Sequence, residues 1–443
     1  MPEPRLLVVP GGTNIGAVAL ANAALHKLVE LHEERLADPE HPAPRTVVVL
    51  RDPAEVPPST LRGAALSPAE AFPAEKYPDL AEKLSDPAFF DGVDLVIQTS
   101  GSTAGRPRLV GLSIEAILAS IDATSAALGG PGRWILALPT HHIAGAMVLL
   151  RAAVAETNPQ IVDVTGHFEP SSLLPAIAGA TQDPEVPGYL SLVPTQLAAC
   201  LDAGDEVVGA LASLTAILVG GSSIRPGLLE RAAELGLHVV TTYGMTETCG
   251  GCVYDGVPLA CVEVRAVDRD GHSRLAIAGP VLMTRYLDGD SPFFDEGGRR
   301  WLLTGDMGLI SGGGLVRVEG RADDVVITGG LSVAPAQVLD AVLGIDGIAD
   351  AWVTASPDEK WGEVVTALVV PTSMPDSSER MAELGRAVRD RVGSVLGRAS
   401  APRRVVAVDE IPYIKGLKGM KVDRRAADAL AEAAASPERD WWR

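Results

Sequence analysis

Thr99-Ser100-Gly101-Ser102-Thr103-Ala104-Gly105-Arg106-Pro107-Arg108 sets hydroxyls, glycines and two arginines directly after the apolar run Leu95–Gln98. Small hydroxylated residues in a turn offer backbone N–H groups and side-chain donors to phosphate oxygens, and the guanidinium groups add positive charge. The same composition suits a plain surface loop, and the absence of a Gly-Lys-Ser/Thr triplet excludes a Walker A loop. In Leu138-Pro139-Thr140-His141-His142-Ile143-Ala144-Gly145, either histidine could orient a carboxylate or act as a structural hydrogen-bonder. Val219-Gly220-Gly221-Ser222 permits close backbone approach. Thr242-Tyr243-Gly244-Met245-Thr246-Glu247 combines an aromatic face for a base, a hydroxyl for phosphate and a carboxylate for a divalent cation. Glu247 by itself reads more readily as a cap or a surface acid than as a metal ligand. In Thr304-Gly305-Asp306 and Arg321-Ala322-Asp323-Asp324, an Asp can accept both hydroxyls of a ribose and Arg321 can support the same sugar, although Asp-Asp after Arg is also a common charged turn. Lys415, Lys418, Lys421, Arg424 and Arg425 form a basic segment that alone reads as a solvated face.

These segments need elements to hold them. Leu6–Val9, a helical pattern through Val18, Ala21, Leu25 and Leu28, and Thr46–Leu50 read as strand–helix–strand. The intervening Gly11–Gly16 turn lacks the full dinucleotide fingerprint. Residues 52–91 read as irregular surface with short helices. From Asp94 onward, expected strands at Leu95–Gln98, Trp134–Leu138, Tyr189–Val193, Ala216–Val219 and Val239–Thr242 alternate with helical periodicity over 113–128, 144–155, 195–202 and 226–235, which implies parallel βαβ units. Residues 261–318 suggest a small antiparallel sheet or barrel. After Arg321 a new α+β unit is expected, with strands at Asp350–Ala355, Val364–Val370 and Arg404–Val408 and a helix across 377–396. The expected domains are therefore 1–320 and 321–443.

The chain has 443 residues, of which 37 are basic and 57 acidic, for a net charge of −20. Hydrophobic residues at 47% and charged residues at 21% exclude wholesale disorder. The acidic balance argues against general binding to nucleic acid or anionic lipid, yet leaves room for a phosphorylated ligand in a locally basic pocket. Four cysteines are too few for a disulfide scaffold, and Cys249-Gly250-Gly251-Cys252 reads as a tight turn because a zinc site would need another ligand pair. With no secretory signal at Met1-Pro2-Glu3-Pro4 and no membrane-length apolar run, the expectation is a cytoplasmic protein.

Taken in order, the Thr/Ser/Gly loop, Leu-Pro-x-x-His-x-x-Gly, Tyr-Gly-Met-Thr-Glu, Thr-Gly-Asp and Gly-Arg-x-Asp-Asp resemble the adenylate-forming superfamily of acyl-CoA synthetases, adenylation domains and luciferases over roughly residues 95–425. The longer stretches Leu136–Gly145, Ser191–Leu197 and Thr242–Gly256 resemble the o-succinylbenzoate–CoA ligases of menaquinone biosynthesis in their compact actinobacterial form. Two departures stand out. Ala104 makes the loop one residue longer and Arg108 replaces the usual lysine; in the tail, no lysine directly follows a glycine.

The resemblance implies an α/β fold: a large N-terminal domain of βαβ-layered sheets plus a small β-barrel-like sheet, then a smaller mobile α+β domain carrying the catalytic lysine. It implies ATP-dependent formation of an acyl-adenylate and then a CoA thioester, with Mg²⁺ as cofactor and ATP, CoA and an aromatic carboxylic acid as substrates. Thr99, Ser100, Gly101, Ser102, Thr103, Gly105, Arg108, Gly220, Gly221, Ser222 and Gly244 would bind ATP, with Tyr243 flanking adenine and Thr246 on the α-phosphate. Glu247 and Thr103 would hold the metal, and Asp306 with Arg321 the ribose. His142, Gly145, Thr195 and Thr242 would line the acyl site, with His142 beside the reacting carboxylate. Lys421 best preserves Lys-x-x-Arg and is assigned as the catalytic lysine, with Lys415 and Lys418 as rivals. Asp323 would be the hinge, and Gly329-Gly330-Leu331 would border the pantetheine tunnel. o-Succinylbenzoate, an aromatic keto-diacid, needs an apolar slot and a donor for its unreacted carboxylate; Arg151, Thr195 and Ser191 lie in segments that could supply one. Alternatives are another aryl or medium-chain acid, loading of a carrier protein, and a non-catalytic nucleotide-binding relative. A homodimer is also expected.

Overall fold

The computed structural model of the chain describes residues 4–40, 45–56, 65–99, 108–166, 168–224, 227–413 and 422–433. The chain forms two compact units, one of Met1–Gly221, Ala232–Val264 and Ala276–Leu303, the other of Ser222–Arg231, Arg265–Leu275 and Thr304–Arg443.

The first unit opens as the apolar runs dictate. Arg5–Pro10 and Thr46–Arg51 pair in parallel, joined by the helix Ile15–Ala37. Asn14 caps that helix by accepting from the Ala17 amide at 2.9 Å, and Val18, Ala21, Leu25 and Leu28 form its buried stripe. The helix packs on both strands and on a second helix, Ile143–Val154, which in turn packs on strand Arg133–Leu136 of another sheet. Helices thus fill the space between two sheets.

The first sheet departs from the expected βαβ alternation. Leu95–Gln98 pairs in parallel with Thr46–Arg51 but antiparallel with Leu109–Leu112, so the Ser/Thr/Gly stretch is the loop of a hairpin. The ten residues between the two strands are too few for a parallel crossover, which needs a dozen or more. Residues 52–91 also differ from the surface reading. Their short α- and 3₁₀-helices bury Phe72, Leu80 and Phe90 against Leu6, Val8, Val47 and Val49 on the first sheet. These large side chains are spaced without a period, so no strand or helix pattern announces them.

The second sheet has seven strands in the order Val257–Pro258, Gly250–Tyr254, Val239–Met245, Ala216–Gly220, Gly188–Leu192, Arg133–Leu136, Gln160–Ile161. Its central members are parallel, as the alternation of apolar runs and helices requires. Strands Glu263–Arg269, His272–Ala278, Phe293–Glu296, Arg299–Ile310 and Val316–Arg321 make the small sheet expected over 261–318.

In the second unit, Ile348–Asp358 and Gly362–Pro371 form a long hairpin extended by Val326–Thr328, Leu331–Val333 and Arg404–Ala407. Helices Pro335–Leu343 and Ser378–Leu396 cover it through Val338, Val342, Val388 and Val392, each pair four residues apart. Gly329 and Gly330 have φ of 57° and 81° and join two short strands, a two-residue turn that requires left-handed backbone at both positions. The basic tail ends in the helix Arg424–Ala433, whose Ala427 and Ala431 pack against Leu368 and Ile411. Among the described residues, no helix is long and apolar enough to cross a membrane.

Candidate active site

Strands Arg133–Leu136, Gly188–Leu192, Ala216–Gly220 and Val239–Met245 are neighbours and parallel, so their carboxyl ends share one edge of the second sheet. Open α/β sheets bind ligands at such an edge. It brings together His142, Thr195, Gly220, Gly221 and the Thr242–Glu247 segment.

Local chemistry fixes each arrival. His142 caps the Ile143–Val154 helix, its amide donating to the Pro139 carbonyl at 3.2 Å. Gly145 lies so close to the turn before it that a Cβ would strike the Pro139 carbonyl. His141 packs on His142 with ring centroids 4.4 Å apart and ring planes tilted 50° from each other, and burial lowers its pKa. A Cβ on Gly11 would collide with His141, so close packing accounts for the first glycine of the Gly11–Gly16 turn. Gln196 was not singled out by its sequence. Its side chain accepts from the Val193 amide at 3.0 Å and donates to the Ala137 carbonyl at 3.1 Å, tying two strand ends together beside Thr195. Gly220 lies opposite Thr242, whose carbonyl and hydroxyl leave no room for a Cβ.

After Tyr243 the strand bulges and turns. The Thr248 hydroxyl accepts from the Met245 amide at 2.9 Å and donates to the Gly250 carbonyl at 2.7 Å, and Cys249 closes the turn at φ 52°. Cys249 and Cys252 are buried free thiols, and burial pushes Cys252 up to about 12, well above a reactive range. The tight-turn reading of this pair fits.

Glu247 accepts a 2.6 Å hydrogen bond from the Tyr286 hydroxyl, which its sequence did not flag. Burial, followed by the Glu247 charge, raises the Tyr286 pKa and keeps that hydroxyl protonated. Arg108 lies 4.0 Å over the Tyr286 ring, 3.4 Å from Asp288 and 3.2 Å from the Asp290 carbonyl. Thr99 and Arg108 close the base of the loop between them: the Thr99 amide donates to the Arg108 carbonyl at 2.8 Å, and the Arg108 amide to the Thr99 hydroxyl at 2.9 Å.

Deeper in the first unit, Arg151 is 5% exposed. Its guanidinium donates to the Thr124 hydroxyl at 3.4 Å and lies 4.8 Å over Trp134, while its Nε has no partner. Thr124 also bonds the Tyr254 hydroxyl at 3.0 Å. No acid among the described residues pairs with Arg151, and burial lowers its pKa.

In the second unit, Asp306 sits opposite Arg321 on paired strands, 3.1 Å from its guanidinium. A Cβ on Gly305 would strike that guanidinium, which accounts for the glycine in Thr-Gly-Asp. Arg321 also reaches Asp323 at 3.8 Å, and Asp324 holds Arg424 through two bonds of 2.6 and 2.9 Å.

The family model for "AMP-binding enzyme" matches residues 3–287, and that for "AMP-binding enzyme C-terminal domain" matches residues 339–415. The chain belongs to the AMP-binding enzyme family. This AMP-binding enzyme is 39% identical over 341 residues to a probable 2-succinylbenzoate–CoA ligase of Mycobacterium tuberculosis, covering 76% of this chain and 84% of that one. It is 29% identical over 361 residues to the 2-succinylbenzoate–CoA ligase of Bacillus subtilis, covering 76% and 70%. Its fold matches the Bacillus subtilis o-succinylbenzoate CoA synthetase solved with its acyl-adenylate intermediate, at a TM-score of 0.66 and 24% identity over 96% of this chain and 95% of that one.

Ser100, Gly101, Ser102, Thr103, Gly105, Lys415, Lys418 and Lys421 lie outside the described residues of this AMP-binding enzyme. Among those described, no group of three or more His, Cys, Asp and Glu could hold a metal ion. Magnesium does not require one, since it takes one or two carboxylates and completes its shell with phosphates and water. Glu247, with one oxygen fixed by Tyr286, fits that demand.

Proposed function

We propose that this AMP-binding enzyme is an ATP-dependent acid–CoA ligase that converts 2-succinylbenzoate to 2-succinylbenzoyl-CoA in menaquinone biosynthesis. A carboxylate oxygen attacks the α-phosphorus, the bond to pyrophosphate breaks, and the mixed anhydride acyl-AMP forms. The CoA sulfur then attacks the acyl carbon, the thiol proton is lost and AMP leaves.

Two anions meet in the first step, so charge stabilisation and positioning dominate catalysis. In this reading Lys421 bridges the attacking carboxylate and the phosphoryl oxygens, and His142 orients the carboxylate. Thr246 contacts the α-phosphate, Tyr243 flanks adenine, and Asp306 with Arg321 holds the ribose. Magnesium, held by Glu247 and Thr103, offsets triphosphate charge when bound. The domain boundary falls at 321, with Asp323 as the hinge that exchanges Lys421 for the thiol. The protein works in the cytoplasm as a homodimer.

The observation that carries the acyl assignment is Arg151. A buried charge without a counter-ion is costly. Arg151 lies on the helix that His142 caps. In this reading the guanidinium receives the second carboxylate of the diacid; a fatty or simple aryl acid would leave it unpaired.

The test is pyrophosphate release with 2-succinylbenzoate, benzoate and octanoate, each with and without CoA. The keto-diacid should be clearly preferred and yield a thioester. Equal use of all three acids sinks the acyl assignment. Release without thioester indicates carrier loading, and no release with any acid indicates a nucleotide-binding protein without ligase activity.

A further inference from the structure

We infer that Tyr286 is a positioning residue for Glu247, and that Arg108 acts by bracing Tyr286 and not by reaching the triphosphate. The inference deepens the proposed metal role of Glu247 and rests on it.

Tyr286 donates to one oxygen of the Glu247 carboxylate at 2.6 Å, which leaves the other oxygen for a cation. A carboxylate that binds a metal through one oxygen gains orientation when a protein donor fixes the other. Backbone bonds hold this donor in place on every side. Tyr286 pairs with Val110, its amide donates to the Ser291 hydroxyl at 2.8 Å, and the Leu287 amide donates to the Leu109 carbonyl at 2.9 Å. The same ribbon reaches Glu247 directly, because the Met283 amide donates to the Glu247 carbonyl at 2.8 Å. The phenol therefore has little freedom relative to the carboxylate it contacts.

Arg108 completes the arrangement. Its guanidinium covers the Tyr286 ring at 4.0 Å, within the range of a cation–π contact. It also engages the Asp288 carboxylate and the Asp290 carbonyl. Asp288 itself accepts from the Leu109 amide at 3.0 Å, so the acid that neutralises Arg108 is anchored to the strand following the Ser/Thr/Gly loop. A flat guanidinium can stack and bond at the same time, whereas an ammonium offers no plane to stack. That difference gives the arginine at this position, where the family usually has lysine, a function of its own. A chain of contacts then runs from the exit of the loop, through Arg108 and Tyr286, to Glu247.

The experiment is a Mn²⁺ titration followed by electron paramagnetic resonance, with ATP present and no acid, on the wild type and on Tyr286→Phe, Arg108→Lys and Asp288→Asn, each also melted thermally. Tyr286→Phe keeps the ring and removes only the donor, so Mn²⁺ affinity should fall about 10- to 100-fold while the melt is retained. Arg108→Lys and Asp288→Asn should weaken Mn²⁺ binding less, in the same direction. Wild-type Mn²⁺ affinity in Tyr286→Phe overturns the inference. If Tyr286→Phe fails to fold, Arg108→Lys and Asp288→Asn decide, and wild-type affinity in both overturns it. Absence of Mn²⁺ binding by the wild type would refute the metal reading of Glu247 itself, a separate outcome. Because no acid is present, the identity of the acyl substrate does not affect the result.

Discussion

Arg108 and Arg151 both lie over an aromatic ring in the first unit, yet the molecule treats their charges in opposite ways. Arg108 is 4.0 Å over Tyr286 and is neutralised by Asp288, with the Asp290 carbonyl as a further acceptor. Arg151 is 4.8 Å over Trp134, more deeply buried, and has only the Thr124 hydroxyl as a hydrogen-bond acceptor among the described residues. A satisfied guanidinium is structural steel for its neighbours. Arg151 has no such acid among the described residues, and in the proposed function it receives the second carboxylate of the substrate. In a chain of net charge −20, where acids are plentiful, their absence around Arg151 among the described residues is the more telling of the two arrangements.

The sharpest way to break this contrast is Arg151→Met. Loss of a charged hydrogen-bond donor to the bound diacid should lower kcat/KM for 2-succinylbenzoate about 100-fold, corresponding to roughly 3 kcal/mol. Removing an unpaired buried charge should leave the melting temperature unchanged or raise it. A variant that melts much lower and keeps its activity would make Arg151 a structural residue like Arg108. A smaller effect is expected for Arg108→Ala, which uncovers Tyr286 and leaves Asp288 without its cation. MgATP should be used about tenfold less well, in line with a cation–π and ion-pair contribution of about 1–2 kcal/mol. The melt should fall as well, the reverse of the Arg151 result. The smallest effect belongs to Tyr254→Phe, which removes the hydroxyl that bonds Thr124 beside Arg151. About 1 kcal/mol of stability should be lost, measured by denaturant titration, with a few-fold rise in KM for the acid alone. A change in KM for MgATP instead would show that the two arginine environments are coupled.

Much of this arrangement can be read along the chain. The apolar runs of the second sheet announce its parallel strands, and the His142, Thr195, Gly220–Gly221 and Thr242–Glu247 segments lie at the ends of those runs, so their convergence at one edge needs only the rule that parallel strands end together. Long-range partners are harder to see. Tyr286 stands 39 positions from Glu247 in a stretch of short strands, and no local period marks it as a donor. The hairpin around the Ser/Thr/Gly loop did carry a signal. Leu95–Gln98 and Leu109–Leu112 are matched four-residue apolar runs on either side of a turn-rich segment, a hairpin pattern that the following helices obscured. Arg151 was visible as a charge in an apolar run, but its isolation depends on what packs around it, and sequence spacing contains no information on an acid that is missing. Phe72, Leu80 and Phe90 escaped for the same reason: burial by a neighbouring sheet is a property of three dimensions.

The hairpin has one more consequence. Its base is locked by the Thr99–Arg108 pair, beyond which the register of Leu95–Gln98 against Leu109–Leu112 is set by strand pairing alone. Chain inserted above that base lengthens the loop without shifting the sheet, and the closure entropy of a flexible loop rises only slowly with its length. The extra residue Ala104 lies in sequence between the two residues of that base. The Thr99–Arg108 pair thus uncouples the register of the two strands from the length of chain that joins them.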